Sequence, residues 1–123
     1  MNIYFEIQAE EPERALAFYT AVFGWNFIPI PGLPIPYWTI ETGGARGGLY
    51  KRPAPLPAQE HGNNAFICSF QVTDFDAVAT KILGIGGIVA MPKFAVPKTC
   101  WQGYFIDPEG NTFGIFQVDE NAA

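Results

Sequence analysis

The feature that most constrains this chain is an internal repeat. Gly24 and Gly87 each end a helical pattern and precede an apolar run, and Pro29 and Pro92 each close that run. Both pairs lie 63 positions apart in a chain of 123 residues. The same shift places Ile7 on Phe70, Ala9 on Val72 and Glu11 on Asp74. A repeat of half the chain predicts two copies of one supersecondary unit rather than a solenoid, and paired units commonly enclose a ligand-binding cleft.

The local patterns predict the same elements in both copies. The first has an alternating strand over residues 2–8, a helix with Pro12 in its first turn and Gly24 after its end, and three further strands. These strands are Trp25–Ile30, Pro36–Glu41 and Arg46–Lys51. The second copy has a strand at Phe66–Val72, a helix capped by Asp74 and ended by Gly84 or Gly86-Gly87, and strands at Ile88–Met91, Trp101–Ile106 and Thr112–Val118. Phe94–Pro97 reads as a short strand or a loop.

Each half is therefore predicted as β-α-β-β-β, which makes the chain α+β. We expect one domain over residues 1–123, with repeat one at about 1–52, a Pro-, Ala- and Gly-rich linker at about 53–64, and repeat two at about 65–118.

Composition argues against several classes of partner. The net charge is −5 and Lys51-Arg52 is the only basic pair, so we expect no nucleic-acid partner. No apolar run reaches the roughly 18 residues of a membrane span, and the first residues lack the pattern of a signal peptide. Cys68 and Cys100 could pair, but nothing else indicates an oxidising compartment. The expected location is cytoplasmic, with free thiols.

Strand alternation predicts which face of each sheet could carry chemistry. Phe5 and Ile7 should lie under the first helix, which leaves Tyr4, Glu6 and Gln8 on the opposite face. In the second half Phe70 and Val72 should lie under the helix, and Ile67, Ser69 and Gln71 opposite. Polar side chains on both helix-free faces favour a solvent-filled cleft over a dry core, because buried polar groups need partners. A plain solvent-exposed sheet face is the alternative.

Single residues give weaker indications. Glu6 is the acid/base candidate by placement, since a semi-apolar cleft disfavours a charged carboxylate; a solvated strand glutamate is the alternative. His61 has no metal-binding spacing and reads as a surface-loop residue. Cys100 has no neighbouring histidine to activate it, and Cys68 is expected to be a small core residue. The aromatic residues of the later strands suit either a pocket or core and dimer packing: Tyr37, Trp38, Phe94, Trp101 and Tyr104.

Taken together, these motifs resemble the vicinal oxygen chelate superfamily, which includes glyoxalase I, bleomycin resistance proteins and extradiol dioxygenases. The resemblance rests on Phe5-Glu6-Ile7, the segment from Glu11 to Tyr19, Val22-Phe23-Gly24-Trp25, Asp74-Phe75-Asp76-Ala77 and Asp107-Pro108-Glu109-Gly110-Asn111. It implies a U-shaped, eight-stranded mixed sheet around a cleft, with the helices on the outer face and often a dimer.

The metal-ligand positions of such enzymes, carried over by this resemblance, fall on Tyr4, Ile67, Gly114 and the region of Gly47-Gly48. None of these residues is a normal ligand except, weakly, Tyr4. We therefore expect no family-type metal and no cofactor, and predict a homodimer that binds a small molecule. The predicted lining of the cleft is Tyr4, Glu6, Trp38, Phe94, Trp101 and Tyr104. The alternatives are a glyoxalase-type lyase or isomerase, using Glu6 or displaced metal ligands, and a protein-interaction module.

Overall fold

The computed structural model describes residues 3–54 and 65–123. Their contacts divide the chain into two units, Met1–Ala58 (unit 1) and Gln59–Ala123 (unit 2). The predictions for His61 and for most of the linker lie outside the described residues. No helix within the described ranges is long and apolar enough to cross a membrane.

Unit 1 contains one helix and a four-stranded mixed sheet. Its elements are β1 (Tyr4–Ala9), α1 (Pro12–Phe23), β2 (Asn26–Pro29), β3 (Tyr37–Glu41) and β4 (Arg46–Lys51). The strand order is β1-β4-β3-β2, with β1 parallel to β4 and the other pairs antiparallel. Helix α1 begins at Pro12 as predicted, and Gly24 follows it in the left-handed conformation at φ 71°. Glycine suits this position because it has no side chain to clash there.

The core of unit 1 lies between α1 and one face of this sheet. Ala15, Phe18, Tyr19 and Val22 form the buried stripe of the helix. On the sheet, Ile40 and Leu49 are 0% exposed. The Trp25 ring stacks on Tyr19 with a centroid distance of 5.3 Å. Each such side chain contributes about 1.5–3 kcal/mol by leaving water, so this face is fixed as the inner one.

Unit 2 repeats the plan. Its elements are β5 (Ser69–Gln71), α2 (Phe75–Gly84), β6 (Ile88–Val96), β7 (Cys100–Ile106) and β8 (Thr112–Val118), with strand order β5-β8-β7-β6. Asp74 caps α2 as predicted, its carboxylate accepting a hydrogen bond from the backbone N–H of Ala77 at 3.1 Å. Phe75 and Ile82 of α2 are buried, as are Phe105, Phe113 and Ile115 of the sheet. The predicted α+β class and the two βαβββ units are confirmed.

Pro92 does not end its strand, which corrects the sequence prediction. Strand β6 continues through it to Val96 and includes the segment that was expected to be a short strand or a loop. Met91 pairs with Tyr104 and Phe94 with Gln102, so three steps along β6 match two along β7. This β-bulge lies on the edge strand of the sheet. Proline, which lacks a backbone N–H, is tolerated at such places.

The prediction that Cys68 is a core residue is wrong. Strand β5 begins at Ser69, so Cys68 precedes it, and the thiol is exposed. Phe66 is also fully exposed. The predicted strand over Phe66–Val72 would have placed Cys68 on the helix side, but β5 has three residues and alternation applies only within a strand.

Candidate functional site

The side of the unit 1 sheet that does not carry the core holds a set of polar and aromatic side chains. Strand register places Tyr4, Glu6 and Gln8 beside Arg46, Gly48 and Tyr50 of β4, and these beside Thr39 and Tyr37 of β3. We call this set the open face of unit 1. Tyr4, Glu6 and Gln8 lie on the face opposite the helix, as the alternation of β1 predicted, and all three are exposed.

Three of these side chains form a hydrogen-bonded group, which we call the Tyr4–Tyr37–Glu6 cluster. The hydroxyl of Tyr37 donates to Oε2 of Glu6 at 2.8 Å. The hydroxyl oxygens of Tyr4 and Tyr37 are also 2.8 Å apart. These are normal hydrogen-bond lengths. The cluster joins two strands that are not neighbours in the sheet, because Tyr37 lies on β3, Glu6 lies on β1, and β4 runs between them.

A second polar contact supports this cluster from the side. Nε2 of Gln8 donates to the hydroxyl of Tyr50 at 2.8 Å. The rings of Tyr50 and Tyr37 stack, with centroids 6.0 Å apart and planes 13° from parallel. The direction in which Tyr37 extends across the sheet is therefore constrained by a neighbouring ring as well as by its own hydrogen bonds.

Gly48 provides the space for this crossing. It is the register partner of Glu6 on β4. A Cβ at this position would meet the Tyr37 hydroxyl, and it would lie 2.6 Å from Cζ of Tyr37 and 2.8 Å from the Tyr4 hydroxyl. Glycine is thus required here by the close approach of a side chain and not by an unusual backbone angle.

The protonation of Tyr37 is shifted strongly towards the neutral form. Burial raises the pKa of its hydroxyl, and the hydrogen bonds to Tyr4 and Glu6 raise it further, as does the negative charge of Glu6. An ionised Tyr37 would have to face that carboxylate without a proton to donate. Tyr37 therefore keeps its proton and serves as a fixed donor to Glu6.

Unit 2 has a similar side-chain contact across its own central strand, but the side chains that form it are uncharged. Ser69, 63 positions after Glu6, pairs with Gly114 as Glu6 pairs with Gly48. Nε2 of Gln102 donates to Oγ of Ser69 at 3.1 Å. A Cβ on Gly114 would lie 2.8 Å from that nitrogen. The open face of unit 2, which we define as Ser69, Gly114, Gln102, Tyr104 and Phe94, thus repeats the geometry without the charge.

The six residues predicted to bind a ligand separate by sheet face. Tyr4 and Glu6 lie together on the open face of unit 1. Phe94 and Tyr104 lie together on the open face of unit 2, with ring centroids 6.3 Å apart. Trp38 is the register partner of the fully buried Leu49, which places it on the helix-covered face of unit 1.

Trp101 likewise belongs to the helix-covered face of its own sheet. Nζ of Lys93 lies 4.8 Å from the Trp101 ring centroid and 5.4 Å from that of Phe75 on α2. The indole Nε1 of Trp101 donates to Asp119 at 3.0 Å. The structure therefore does not bring Trp38 or Trp101 together with the residues of the open faces. Residues two apart on a strand share a face, so counting back from the buried Ile40 would have assigned Trp38 to the helix-covered face. The same count from Thr39 would have added Tyr37 to the open face.

The residues at the expected metal positions do not fit a family-type metal. The Tyr4 oxygen is engaged with Tyr37, Ile67 has no donor atom, and the space beside Gly114 holds Ser69 and Gln102. Within residues 3–54 and 65–123, no group of three or more His, Cys, Asp or Glu side chains is arranged to hold a metal ion. Cys100, for which the sequence offers no neighbouring histidine as an activating base, is buried at 7% exposure.

Comparison with known proteins identifies the family. The model of the glyoxalase-like domain matches residues 4–116. CFP32 of Mycobacterium bovis, a protein named as a glyoxylase, is 29% identical over 118 residues. That alignment covers 94% of this chain and 45% of CFP32, so the chain spans about half the length of the curated relatives it matches.

Solved structures of the same fold are more distant in sequence. A glyoxalase/bleomycin resistance protein/dioxygenase family enzyme from Burkholderia phytofirmans PsJN has a TM-score of 0.74 at 21% identity, with 94% of this chain and 97% of that chain covered. The fosfomycin resistance protein FosX from Listeria monocytogenes has a TM-score of 0.78 at 15% identity, with 97% of this chain and 91% of the FosX chain covered. The fold agrees with the family match, and the chain belongs to the glyoxalase-like domain family of the vicinal oxygen chelate superfamily.

Proposed function

We propose that this protein binds a small organic molecule on the open face of unit 1, without a family-type metal. The observation that carries the proposal is the Tyr4–Tyr37–Glu6 cluster. Tyr4 and Glu6 are exposed and Tyr37 is half-buried, yet hydrogen bonds between β1 and β3 hold their polar atoms in place on one sheet. Groups held on strands are positioned more precisely than groups on loops, which suits recognition of a ligand. Tyrosine rings also offer an apolar surface beside a polar tip.

The names of related proteins support a small molecule as the class of ligand. FosX is described as a fosfomycin resistance protein, and the Burkholderia protein belongs to a family named in part for bleomycin resistance. Phe94 and Tyr104 on the open face of unit 2 remain part of the proposal as a second aromatic surface. Trp38 and Trp101 are left out, because they lie on the helix-covered faces.

Ligand binding is best tested by a thermal-shift screen of a chemically varied library. A ligand at a hundredfold excess over Kd stabilises the folded protein by about 2.7 kcal/mol. The stabilisation should fall in Glu6→Gln and Tyr37→Phe. It should persist in Glu120→Gln, which makes the same charge change at an exposed site in unit 2. A screen without any stabilising compound, or one whose hits are indifferent to both cluster substitutions, contradicts the proposal.

Metal analysis of the purified protein tests the second half of the proposal. We expect no stoichiometric divalent ion, and finding one would overturn the metal-free assignment. If a hit from the screen is instead converted to product, and Glu6→Gln abolishes turnover while binding persists, the acid/base role of Glu6 replaces simple binding.

We also propose that the protein is a homodimer and that it is cytoplasmic. Exposed apolar side chains on the edge strand β6 support self-association: Ile88, Val89 and Met91 are 57%, 45% and 50% exposed. Unpaired edge strands with apolar side chains favour contact with another chain. Light scattering coupled to gel filtration should give twice the 13.5 kDa chain mass; a monomer at micromolar concentration contradicts the dimer.

A further inference from the structure

The protons of the Tyr4–Tyr37–Glu6 cluster can be assigned by counting. A tyrosine hydroxyl has one proton to donate, and a carboxylate has none. Tyr37 donates its proton to Oε2 of Glu6. The contact between the two tyrosine oxygens therefore needs a proton from Tyr4. The hydrogen bonds run in one direction, from Tyr4 to Tyr37 to Glu6.

The surroundings of Tyr37 maintain this direction. Burial and the bonds to Tyr4 and Glu6 raise the pKa of Tyr37, so the proton that fixes the order stays in place at neutral pH. Chains of hydrogen bonds that share a direction polarise one another. The oxygen of Tyr4, at the start of the chain, therefore becomes a better acceptor than the oxygen of an isolated tyrosine.

The outward-facing end of the cluster consequently accepts hydrogen bonds and does not donate them. Tyr4 is 50% exposed and has committed its only proton inward. Glu6 is exposed on the same face and carries a negative charge. Resting on the proposed function, we propose that the open face of unit 1 selects ligands with a protonated amine that bears N–H bonds, which donates to Tyr4 Oη and to the Glu6 carboxylate. Hydrogen bonds between charged partners are roughly twice as strong as neutral ones.

Two neighbouring features set the limits of this selectivity. Arg46 is the register partner of Tyr4 and carries a positive charge on the same face, so it would favour an anionic ligand instead. The open face of unit 2 lacks the carboxylate: Ser69 accepts from Gln102 there and keeps its own proton for donation. Ligands with an ammonium group should therefore bind preferentially at unit 1. A probe with a carboxylate tests whether Arg46 attracts anionic ligands instead.

Four probes that share one phenyl ring separate the possible sources of affinity. Benzylammonium has charge and N–H donors, benzyltrimethylammonium has charge without donors, benzyl alcohol is neutral, and benzoate is anionic. In amide-detected NMR titrations, benzylammonium should shift the signals of Tyr4, Glu6 and Gly48. Its Kd should be lower than that of benzyltrimethylammonium by about tenfold, the value of one hydrogen bond between charged groups. Benzoate should bind more weakly still.

Tyr37→Phe is the decisive variant, because it removes the acceptor for the Tyr4 proton. That proton is then free to point outward, and the preference for benzylammonium over benzoate should fall by about tenfold. Tyr19→Phe is the matched control, because it removes one tyrosine hydroxyl on the helix-covered side of unit 1, where Tyr19 stacks on Trp25. Its preference for benzylammonium should match that of the unmodified protein.

The outcomes distinguish this inference from the proposed function. If benzylammonium binds at these residues no better than benzyltrimethylammonium or benzoate, the inference fails while small-molecule binding stands. The same holds if no probe binds but a library compound stabilises the protein in a manner that depends on Glu6. An unchanged preference in Tyr37→Phe overturns the assigned proton order. Failure of both the probes and the library removes the proposed function itself.

Discussion

Replacing Gly48 with alanine should disrupt the Tyr4–Tyr37–Glu6 cluster without touching any of its three members. The added Cβ would overlap the Tyr37 hydroxyl and lie 2.6 Å from Cζ of Tyr37. The ring of Tyr37 must then move, and its hydrogen bonds to Tyr4 and Glu6 are lost together.

The expected cost follows from two opposing terms. Two exposed hydrogen bonds contribute about 1 kcal/mol each to the free energy of unfolding. Alanine restores about 0.5–1 kcal/mol, because it restricts the unfolded chain more than glycine does. The net loss is about 1–1.5 kcal/mol, which corresponds to a Tm lower by about 4–6 °C for a domain of this size. Urea unfolding measures the free energy and thermal unfolding measures the Tm, both followed by circular dichroism.

Gly44→Ala provides the matched control. An added Cβ at Gly44 meets nothing within 4 Å, and this residue is not one of those with positive φ. Its stability should be unchanged or up to about 1 kcal/mol higher. A double-mutant cycle with Tyr37→Ala adds a second check: once the ring is gone, only the gain from alanine remains, so Gly48→Ala should raise stability by about 0.5–1 kcal/mol and the coupling energy should be about 2 kcal/mol. Equal stability changes in Gly48→Ala and Gly44→Ala, or additive stability changes in the double-mutant cycle, would refute the contact that Tyr37 makes across Gly48.

Three further predictions concern the capping residue, the thiols and the response to alkali. Asp74→Ala should lower the free energy of unfolding by about 0.5–2 kcal/mol, since the N-cap of α2 is lost; urea unfolding with no measurable change would contradict the cap. In the native protein the exposed thiol of Cys68 should react promptly with a disulfide reagent, and the buried thiol of Cys100 should not. A Cys68→Ser variant that still reacts promptly would contradict this. Because the folded protein raises the pKa of Tyr37 above its ordinary value of about 10, the neutral form stabilises the fold below that pH and the stabilisation is lost as pH rises above it. Tyr37→Phe should therefore flatten the decline of stability above about pH 10, and parallel curves for the two proteins would argue against the shift.

The elements were predictable because their signals are local. Pro12 and Gly24 mark the two ends of α1, and Asp74 marks the start of α2, each through the conformation or hydrogen bonds of adjacent residues. The same locality explains the error at Pro92. Whether a proline ends a strand depends on whether its missing N–H faces a partner strand, and that is decided by the position of β6 at the edge of the sheet.

The site was predictable only in part, because the cluster depends on strand register. Alternation within β1 placed Tyr4 and Glu6 on the open face correctly. Their bond to Tyr37 requires β4 to lie between β1 and β3 and to present a glycine at the crossing, which no local pattern specifies. Trp38 was grouped with them for its chemistry, although the parity of its own strand assigns it to the other face.

The glycine beneath each crossing side chain also determines the order in which substitutions in the sheet can be accepted. A side chain larger than hydrogen cannot enter position 48 while Tyr37 spans it, and position 114 is blocked by Ser69 and Gln102 in the same way. A series of substitutions that places a new functional group on β4 or β8 must therefore first replace the side chain that crosses that strand with a shorter one. The reverse order passes through an intermediate that has lost the old contacts and gained no new ones. Each crossing is thus a site of strong epistasis within its own sheet.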